Sequence, residues 1–346
     1  MDKLLTIVIP TYNMQDYLNR CLGSLVVNPE LREHLEVLVI NDGSKDNSSA
    51  IAHDYETKYP GVFRVIDKEN GNYGSCVNRG LAEAQGKYIK ILDADDWFDT
   101  QEFELYIRKM KDFVDVDMIL TPYNSVSYDS GTKRLESKDI PAEIVFDFGS
   151  FPSDKLSFFP MHMLTYRTKM LKNMGYFQTE GVSYTDTEWA IMPQYVIKQF
   201  VFFPYVVYQY LVGREGQTVD PKIMVRNAWH FDPILRAMIE NRNRFVLVDK
   251  TFLLGLADSI NLGEIEKTAE RLYKMVLVKH HPTRQELLRL KKLDDYLKEN
   301  CTSAYDYLSN LRVKNLPIYY VRFWRRTGKR LSVDWVRNAY RKLLHR

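Results

Sequence analysis

The chain has 346 residues, 45% hydrophobic and 27% charged, a balance that excludes a disordered or fibrous protein and fits one or two globular domains. Its net charge of +3 is unevenly spread, because residues 312–346 hold eleven basic residues and one acid, net +10, which leaves −7 on the rest. An acidic body with a local basic end argues against a polyanion-binding protein, and no nucleic-acid partner is expected. Cys21, Cys76 and Cys301 lie far apart without metal-ligand spacing and are read as reduced thiols of a cytosolic protein. No window approaches the roughly 18 apolar residues that cross a bilayer, and the N-terminus runs straight into a strand with no leader pattern.

In chain order, the apolar runs Leu4–Pro10, Leu35–Ile40, Val62–Ile66 and Tyr88–Leu92 recur about every 25–30 residues, the rhythm of βαβ units with a parallel sheet. Between the first two, Met14, Tyr17, Leu18, Cys21, Leu22 and Leu25 fall on one face of an amphipathic helix. A second helix is expected from Asp46 or Ser48 to Tyr59, and a third from Ser75 to about Gln85. Asp99 with Glu102 has capping-box spacing for a fourth, running to Met110. A strand at Met118–Thr121 precedes a long polar stretch, Tyr123–Asp154, in which only "AEIVFDF" looks strand-like. Tyr166–Met174 and Asp186–Ile197 read as helices, and Phe200–Val212 as one or two strands. From Pro221 onward the pattern is helical, with Thr283 and Glu286 forming another capping box. The expected fold is therefore α/β, Rossmann-like, with a mostly parallel sheet over residues 1–218 and a helical region over 219–346.

Ligands of open α/β sheets bind beyond the carboxyl ends of the strands. The four strand ends here are "PTYN" (Pro10–Asn13), "NDGS" (Asn41–Ser44), "KENGNYGS" (Lys68–Ser75) and "DADD" (Asp93–Asp96). Each is polar and turn-forming. Tyr12 offers a stacking face, Asp42 an acceptor for a base N–H, and Gly71 close backbone approach, which together suit a nucleoside. "GNYGS" has neither the dinucleotide nor the P-loop spacing. Four carboxylates within seven positions (Asp93, Asp95, Asp96, Asp99) fit a solvated turn, a helix cap or a cation site. In the last case Asp93 bonds a ribose diol and Asp95 meets a hard divalent cation.

These segments, with "YQYLVGREGQTV" (Tyr208–Val219), resemble the family 2 glycosyltransferases of GT-A fold, bacterial surface-polysaccharide type, closely over residues 4 to about 130 and loosely over 160–220. "DAD" (Asp93–Asp95) matches their DxD motif. The resemblance implies a nucleotide-diphosphate sugar donor, a UDP-sugar above all, and a divalent metal, Mn2+ or Mg2+. It further implies inversion at the anomeric carbon with a general base, which falls on Asp186 in "YTDTEWA", with Glu188 as the fallback. It extends donor contacts to Pro10, Thr11, Tyr12, Asp42, Gly71, Asn78, Asp93, Ala94, Asp96 and Arg214, and metal ligation to Asp95 and His162. His162 fits a satisfied interior histidine equally well. Val77 stands where the family commonly has Arg, so Arg214 in "GREGQ" becomes the phosphate partner. The basic end holds Trp324, Trp335, Val336, Tyr340, Leu343 and Leu344 among its cations, a pattern that suits an anionic membrane face and a lipid-linked glycan acceptor, or a self-packed helical end. Such a protein would sit in the cytoplasm, peripheral on the inner membrane face. A non-catalytic sugar-nucleotide or glycan-binding module, a glycoside hydrolase and a nucleotidyltransferase share parts of this pattern.

Overall fold

A computed structural model describes residues 3–112, 115–152, 158–246, 252–279, 281–313 and 318–331. The chain divides into a unit of Met1–Glu215 with Thr251–Ala257, and a second of Gly216–Lys250 with Asp258–Arg346.

In the first unit, three of the apolar runs become strands buried on both faces, as a parallel sheet covered by helices requires, and the run at Val62–Ile66 becomes a partly buried edge strand. Its elements are β1 (Leu5–Thr11), α1 (Gln15–Gly23), α2 (Pro29–Arg32), β2 (Leu35–Asn41), α3 (Ser48–Lys58), β3 (Phe63–Asp67), α4 (Asn72–Glu83) and β4 (Tyr88–Ile91). There follow β5 (Trp97–Phe98), α5 (Thr100–Met110), β6 (Met118–Leu120), β7 (Tyr123–Ser127), β8 (Lys133–Glu136), β9 (Val145–Asp147), β10 (Leu164–Arg167) and α6 (Thr168–Met174). The unit's sheets close with α7 (Asp186–Ile191), β11 (Gln199–Phe202) and β12 (Tyr208–Val212). The large sheet has the order β3-β2-β1-β4-β10-β6-β11-β9, and a smaller one the order β5-β12-β7-β8. β1 to β4 are all parallel, and Thr11 lies level with Asn41, and Asn41 with Asp67. Their carboxyl ends thus form one continuous rim. Every residue of β1 and β2 is buried.

Three expectations need correction. Leu164–Tyr166 pair antiparallel with β4 and β6, so the segment read as a helix from Tyr166 begins as a strand and turns helical only at Thr168. The helix from Asp186 stops at Ile191, where Pro193 permits only a 3-10 turn. The polar stretch yields β7 and β8, whose mostly polar sequence hides them: they build a half-exposed sheet with little apolar signal. The large sheet is mostly parallel, as expected, with β10 and β9 running antiparallel to their neighbours.

The second unit is helical: α8 (Pro221–Arg226), α9 (Phe231–Val246), the part of α10 (Phe252–Lys274) from Asp258, α11 (Arg284–Asn300), α12 (Thr302–Ser309) and α13 (Tyr320–Thr327). The capping box at Thr283 and Glu286 forms in both directions. Asp294 is buried, accepting from Tyr273 at 2.8 Å and from Arg325, whose guanidinium lies 3.6 Å from the Tyr305 ring centroid. This corrects part of the membrane reading: Trp324 packs inside near Tyr273, and Arg325 is already neutralised. Trp335, Val336, Tyr340, Leu343 and Leu344 lie outside the described residues. Among the described residues no helix is long and apolar enough to cross a membrane. Cys21, Cys76 and Cys301 are buried free thiols.

Candidate active site

The rim gathers the polar ends of β1 to β4, and each is held by bonds that the sequence alone did not disclose. Asp42 is buried and accepts from Lys68 Nζ at 2.6 Å and from the Gly71 amide at 2.9 Å. Lys68 also donates to Ser75 at 2.9 Å. Gly43 makes this cradle possible: its φ is +73°, and a Cβ there would press on Asn70 N and Lys68 O at 3.3 Å. Tyr12 is 46% exposed beside this cradle, presenting a ring face to solvent. Pro10, Thr11 and Ala94 are buried, and the Thr11 hydroxyl donates back to Ile9 O. Their side chains therefore shape the rim from within, and a donor contact from these positions would run through the backbone.

Asn78 also departs from its expected role at the donor. Its carboxamide is used up on a neighbouring loop, accepting from Gln178 N and donating to Gln178 O, both at 2.8 Å, and to Glu180. Gly74, one turn earlier on α4, lets that loop in, since a Cβ there would sit 2.0 Å from Thr179 O. The loop leads directly to Asp186. Asn78 thus clamps the segment that carries the expected base.

The acidic cluster divides into distinct environments. Asp99 caps α5 by accepting from Glu102 N, the one assignment that local spacing determines. Asp96 is buried, with one oxygen accepting from the Leu211 amide and the other from Tyr208 Oη, each at 2.7 Å. Tyr208 Oη in turn accepts from Asp93 N at 3.1 Å. Asp93 accepts from Tyr73 Oη at 2.7 Å. Burial, then the charge of Asp95, pushes Asp93 up to about 7, and the same causes raise Asp96 well above the carboxylate range. Asp95 instead ion-pairs with Arg214 Nε at 2.7 Å, both side chains being largely buried. A guanidinium is the natural neutraliser for the carboxylate flanked by two others.

His162 completes the group. Its imidazole lies between Tyr123 and Tyr210, with ring centroids 4.9 and 4.2 Å away. Burial, then the Lys90 charge, holds its pKa down to about 3, so the ring is neutral with a lone pair to offer. Lys90 is 0% exposed in β4 and donates to the carbonyls of His162 and Leu164 at 2.8 and 3.2 Å, fastening the histidine segment to the strand that ends at the aspartates. Burial lowers the Lys90 ammonium itself to about 7. A lysine in the otherwise apolar "YIKIL" was the sequence signal for this tie. Ligand atoms of Asp93, Asp96 and His162 lie within 4.8 Å of one another, and His162 Nδ1 is buried without a partner. Two carboxylate oxygens and one imidazole make a donor set for a divalent metal. Of the two residues expected at the metal, His162 stands with Asp93 and Asp96, while Asp95 pairs with Arg214.

Asp186 is exposed at the first position of α7, and its charge contributes to the raised pKa of Asp93, which places the two in one field. Glu188 is 0% exposed and accepts from both Thr179 N and Thr179 Oγ1. It anchors the loop and does not face the rim, so its role as fallback base is not supported by its position. Burial raises Glu188 to about 7 against an ordinary 4.5. A carboxyl raised on folding contributes stability at low pH that is lost as pH climbs from 4.5 to 7. Glu188→Gln should therefore flatten the fall of Tm between pH 4.5 and 7, worth about 3 kcal/mol by the size of the shift. An unchanged slope in thermal melts would refute this account.

Residues 6–175 match the family described as Glycosyl transferase family 2. These residues form a family 2 glycosyltransferase domain. An uncharacterised glycosyltransferase of Mycoplasma genitalium is 36% identical over 135 residues, 38% of this chain and 44% of that protein. The minor teichoic acid biosynthesis protein GgaB of Bacillus subtilis is 29% identical over 134 residues, 38% of this chain and 15% of that protein. The chain spans less than half the length of the curated relatives it matches. The crystal structure of S. aureus TarS 1–349 superposes with a TM-score of 0.61 at 15% identity, over 93% of this chain and 87% of that one. Complexes of TarS 1–349 with UDP and with UDP-GlcNAc superpose at 0.60 and 0.54, with 16% and 19% identity. They cover 94% of this chain and 92% of that one. The α/β architecture of the family 2 domain is the GT-A fold.

Proposed function

We propose that the protein transfers a sugar, with inversion, from a nucleotide-diphosphate sugar, a UDP-sugar in the first instance, to a glycan or lipid-linked glycan of a bacterial surface polysaccharide. The observation that carries this reading is the convergence, on one rim of a family 2 domain, of the Asp42–Lys68–Gly71 cradle with the Asp93–Asp96 cluster. UDP-GlcNAc in TarS and the teichoic acid role in the name of GgaB support the donor and acceptor classes.

In this reading Tyr12 stacks on the base and Asp42 accepts from it, while Asp93 meets the ribose. A divalent cation held by Asp93, Asp96 and His162 would supply positive charge to the departing diphosphate. Arg214 swings its fork from Asp95 to the phosphate oxygens, which it fits in a bidentate manner. Asp186 takes the proton of the acceptor hydroxyl as its oxygen attacks the anomeric carbon from the face opposite the leaving group. Asn78, Gly74 and Glu188 hold the loop that delivers Asp186. The basic residues of 312–346 other than Arg325 support a contact with an anionic, cytoplasmic membrane face, where lipid-linked acceptors reside.

Calorimetry with UDP and GDP tests the donor site. UDP should bind in the presence of Mn2+ and lose affinity in EDTA. Binding of GDP alone would change the donor class, and no binding of either nucleotide would refute the reading.

A further inference from the structure

We propose that Arg20, with Trp97 and Tyr17, forms an oxyanion-recognising shelf for the acceptor, selecting substrates that carry a phosphate ester or a carboxylate. The inference rests on the donor reading above and goes beyond it by naming the chemistry of the second substrate.

The Arg20 guanidinium lies 3.8 Å from the centroid of Trp97 and donates through Nη2 to Asp95 O at 2.9 Å. Stack and hydrogen bond together fix a side chain that is otherwise exposed. A guanidinium stacked on an indole face keeps the N–H groups at its edge for other partners. Among the described residues no carboxylate pairs with Arg20. Its remaining N–H groups therefore stay available in a held orientation. On the other side of residue 95, Arg214 takes the carboxylate and lies 5.2 Å from the ring centroid of Tyr17. The Tyr17 hydroxyl meets that of Tyr128, which is 52% exposed. One guanidinium thus takes the carboxylate of residue 95 and the other its backbone carbonyl, and each lies beside an aromatic ring.

The donor has other contacts. Its base and ribose side is the cradle of Asp42, Lys68 and Gly71, and its diphosphate is served by Arg214. Arg20 reaches the acidic loop from α1 through a backbone carbonyl and touches none of these groups. A guanidinium fork matches phosphate and carboxylate oxygens, and Tyr and Trp rings pack on the C–H faces of sugars, so the combination fits an anionic glycan better than a neutral one.

The test uses the full chain labelled with 5-fluorotryptophan, with the Trp97 resonance assigned by its absence in Trp97→Phe. UDP is held at saturation with Mg2+, and methyl phosphate, glucuronate and neutral methyl glucoside are titrated in turn. Methyl phosphate or glucuronate should shift the Trp97 signal saturably, and Arg20→Gln should weaken that binding at least tenfold, with Arg20→Lys between. Which anion binds better names the source of the charge. The proposal is overturned if neither anion moves the signal, or if methyl glucoside moves it equally. It also falls if UDP abolishes the response, or if Arg20→Gln lowers Tm but leaves the titration unchanged. UDP binding is measured calorimetrically on the same samples. Should UDP fail to bind, the donor reading falls, while an Arg20-dependent phosphate response still upholds the shelf. Should UDP bind and Trp97 stay silent, the shelf alone falls.

Discussion

Replacing Asp186 by Asn should lower sugar transfer by roughly 10²- to 10⁴-fold, the range a positioned general base contributes, with nucleotide affinity unaltered. The amide keeps the size of the carboxylate and cannot take the acceptor proton. Asp186 opens α7, so losing its charge removes a favourable interaction with the helix dipole worth about 0.3–1 kcal/mol, too little to unfold the domain. Loss of turnover without a large drop in Tm therefore reports chemistry and not folding. Removing the charge should also relax the Asp93 carboxyl toward its ordinary value, since Asp186 is one of the charges that raise it. Turnover equal to wild type in single-turnover assays would remove Asp186 from the mechanism. The buried Glu188, bonded twice to Thr179, could not take its place without the loop opening.

The second large effect concerns Arg214. Arg214→Ala should weaken UDP binding by about 10- to 100-fold, as expected for one charge-assisted, bidentate phosphate contact. In the absence of nucleotide the same change should strengthen Mn2+ binding, because Asp95 loses its ion-pair partner and adds negative charge beside the Asp93, Asp96 and His162 cluster. Opposite signs for the two ligands distinguish a switching arginine from a merely structural one. The variant leaves a largely buried carboxylate unpaired, which costs about 3–5 kcal/mol when no ion replaces the guanidinium. Its Tm should accordingly recover on addition of Mn2+ more than that of the wild type. If Arg214→Ala weakens both ligands equally, the exchange of partners between Asp95 and phosphate does not occur.

The shared rim of strand ends was legible because its information is local. Apolar runs at βαβ spacing fix where strands end, and polar turns at those ends must then share a rim. Asp99 was readable as a cap for the same reason, since its partner Glu102 N is three residues away. What could not be read depends on contacts over long separations. Nothing in "CVNRG" tells that Asn78 bonds Gln178, or in "DADD" that Asp96 is satisfied by Leu211 and Tyr208. Burial of Pro10 and Thr11 likewise follows from the sheet's two covered faces and not from their neighbours in sequence. β7 and β8 escaped notice because an edge sheet with one wet face lacks the apolar run that marked β1 to β4. Lys90 and Tyr73 were overlooked because each sits inside a stretch already assigned to another purpose, a strand and a glycine turn.

Tyr208 has a bearing on how the protein is made. Its hydroxyl joins Asp93 N to the Asp96 carboxylate across separations of 115 and 112 residues, and Leu211 N reaches Asp96 across 115. During synthesis the acidic loop therefore emerges long before the strand that finishes it. At 5–20 residues per second the interval is roughly 6–23 s for 115 residues. Over that time β1 to β4 can assemble, while the loop that follows them holds a buried-to-be carboxylate still open to water. The nascent chain thus passes through a stage with the Asp42–Lys68–Gly71 cradle formed and the acidic loop unfinished, so that the acidic cluster is the last part of the rim to be completed.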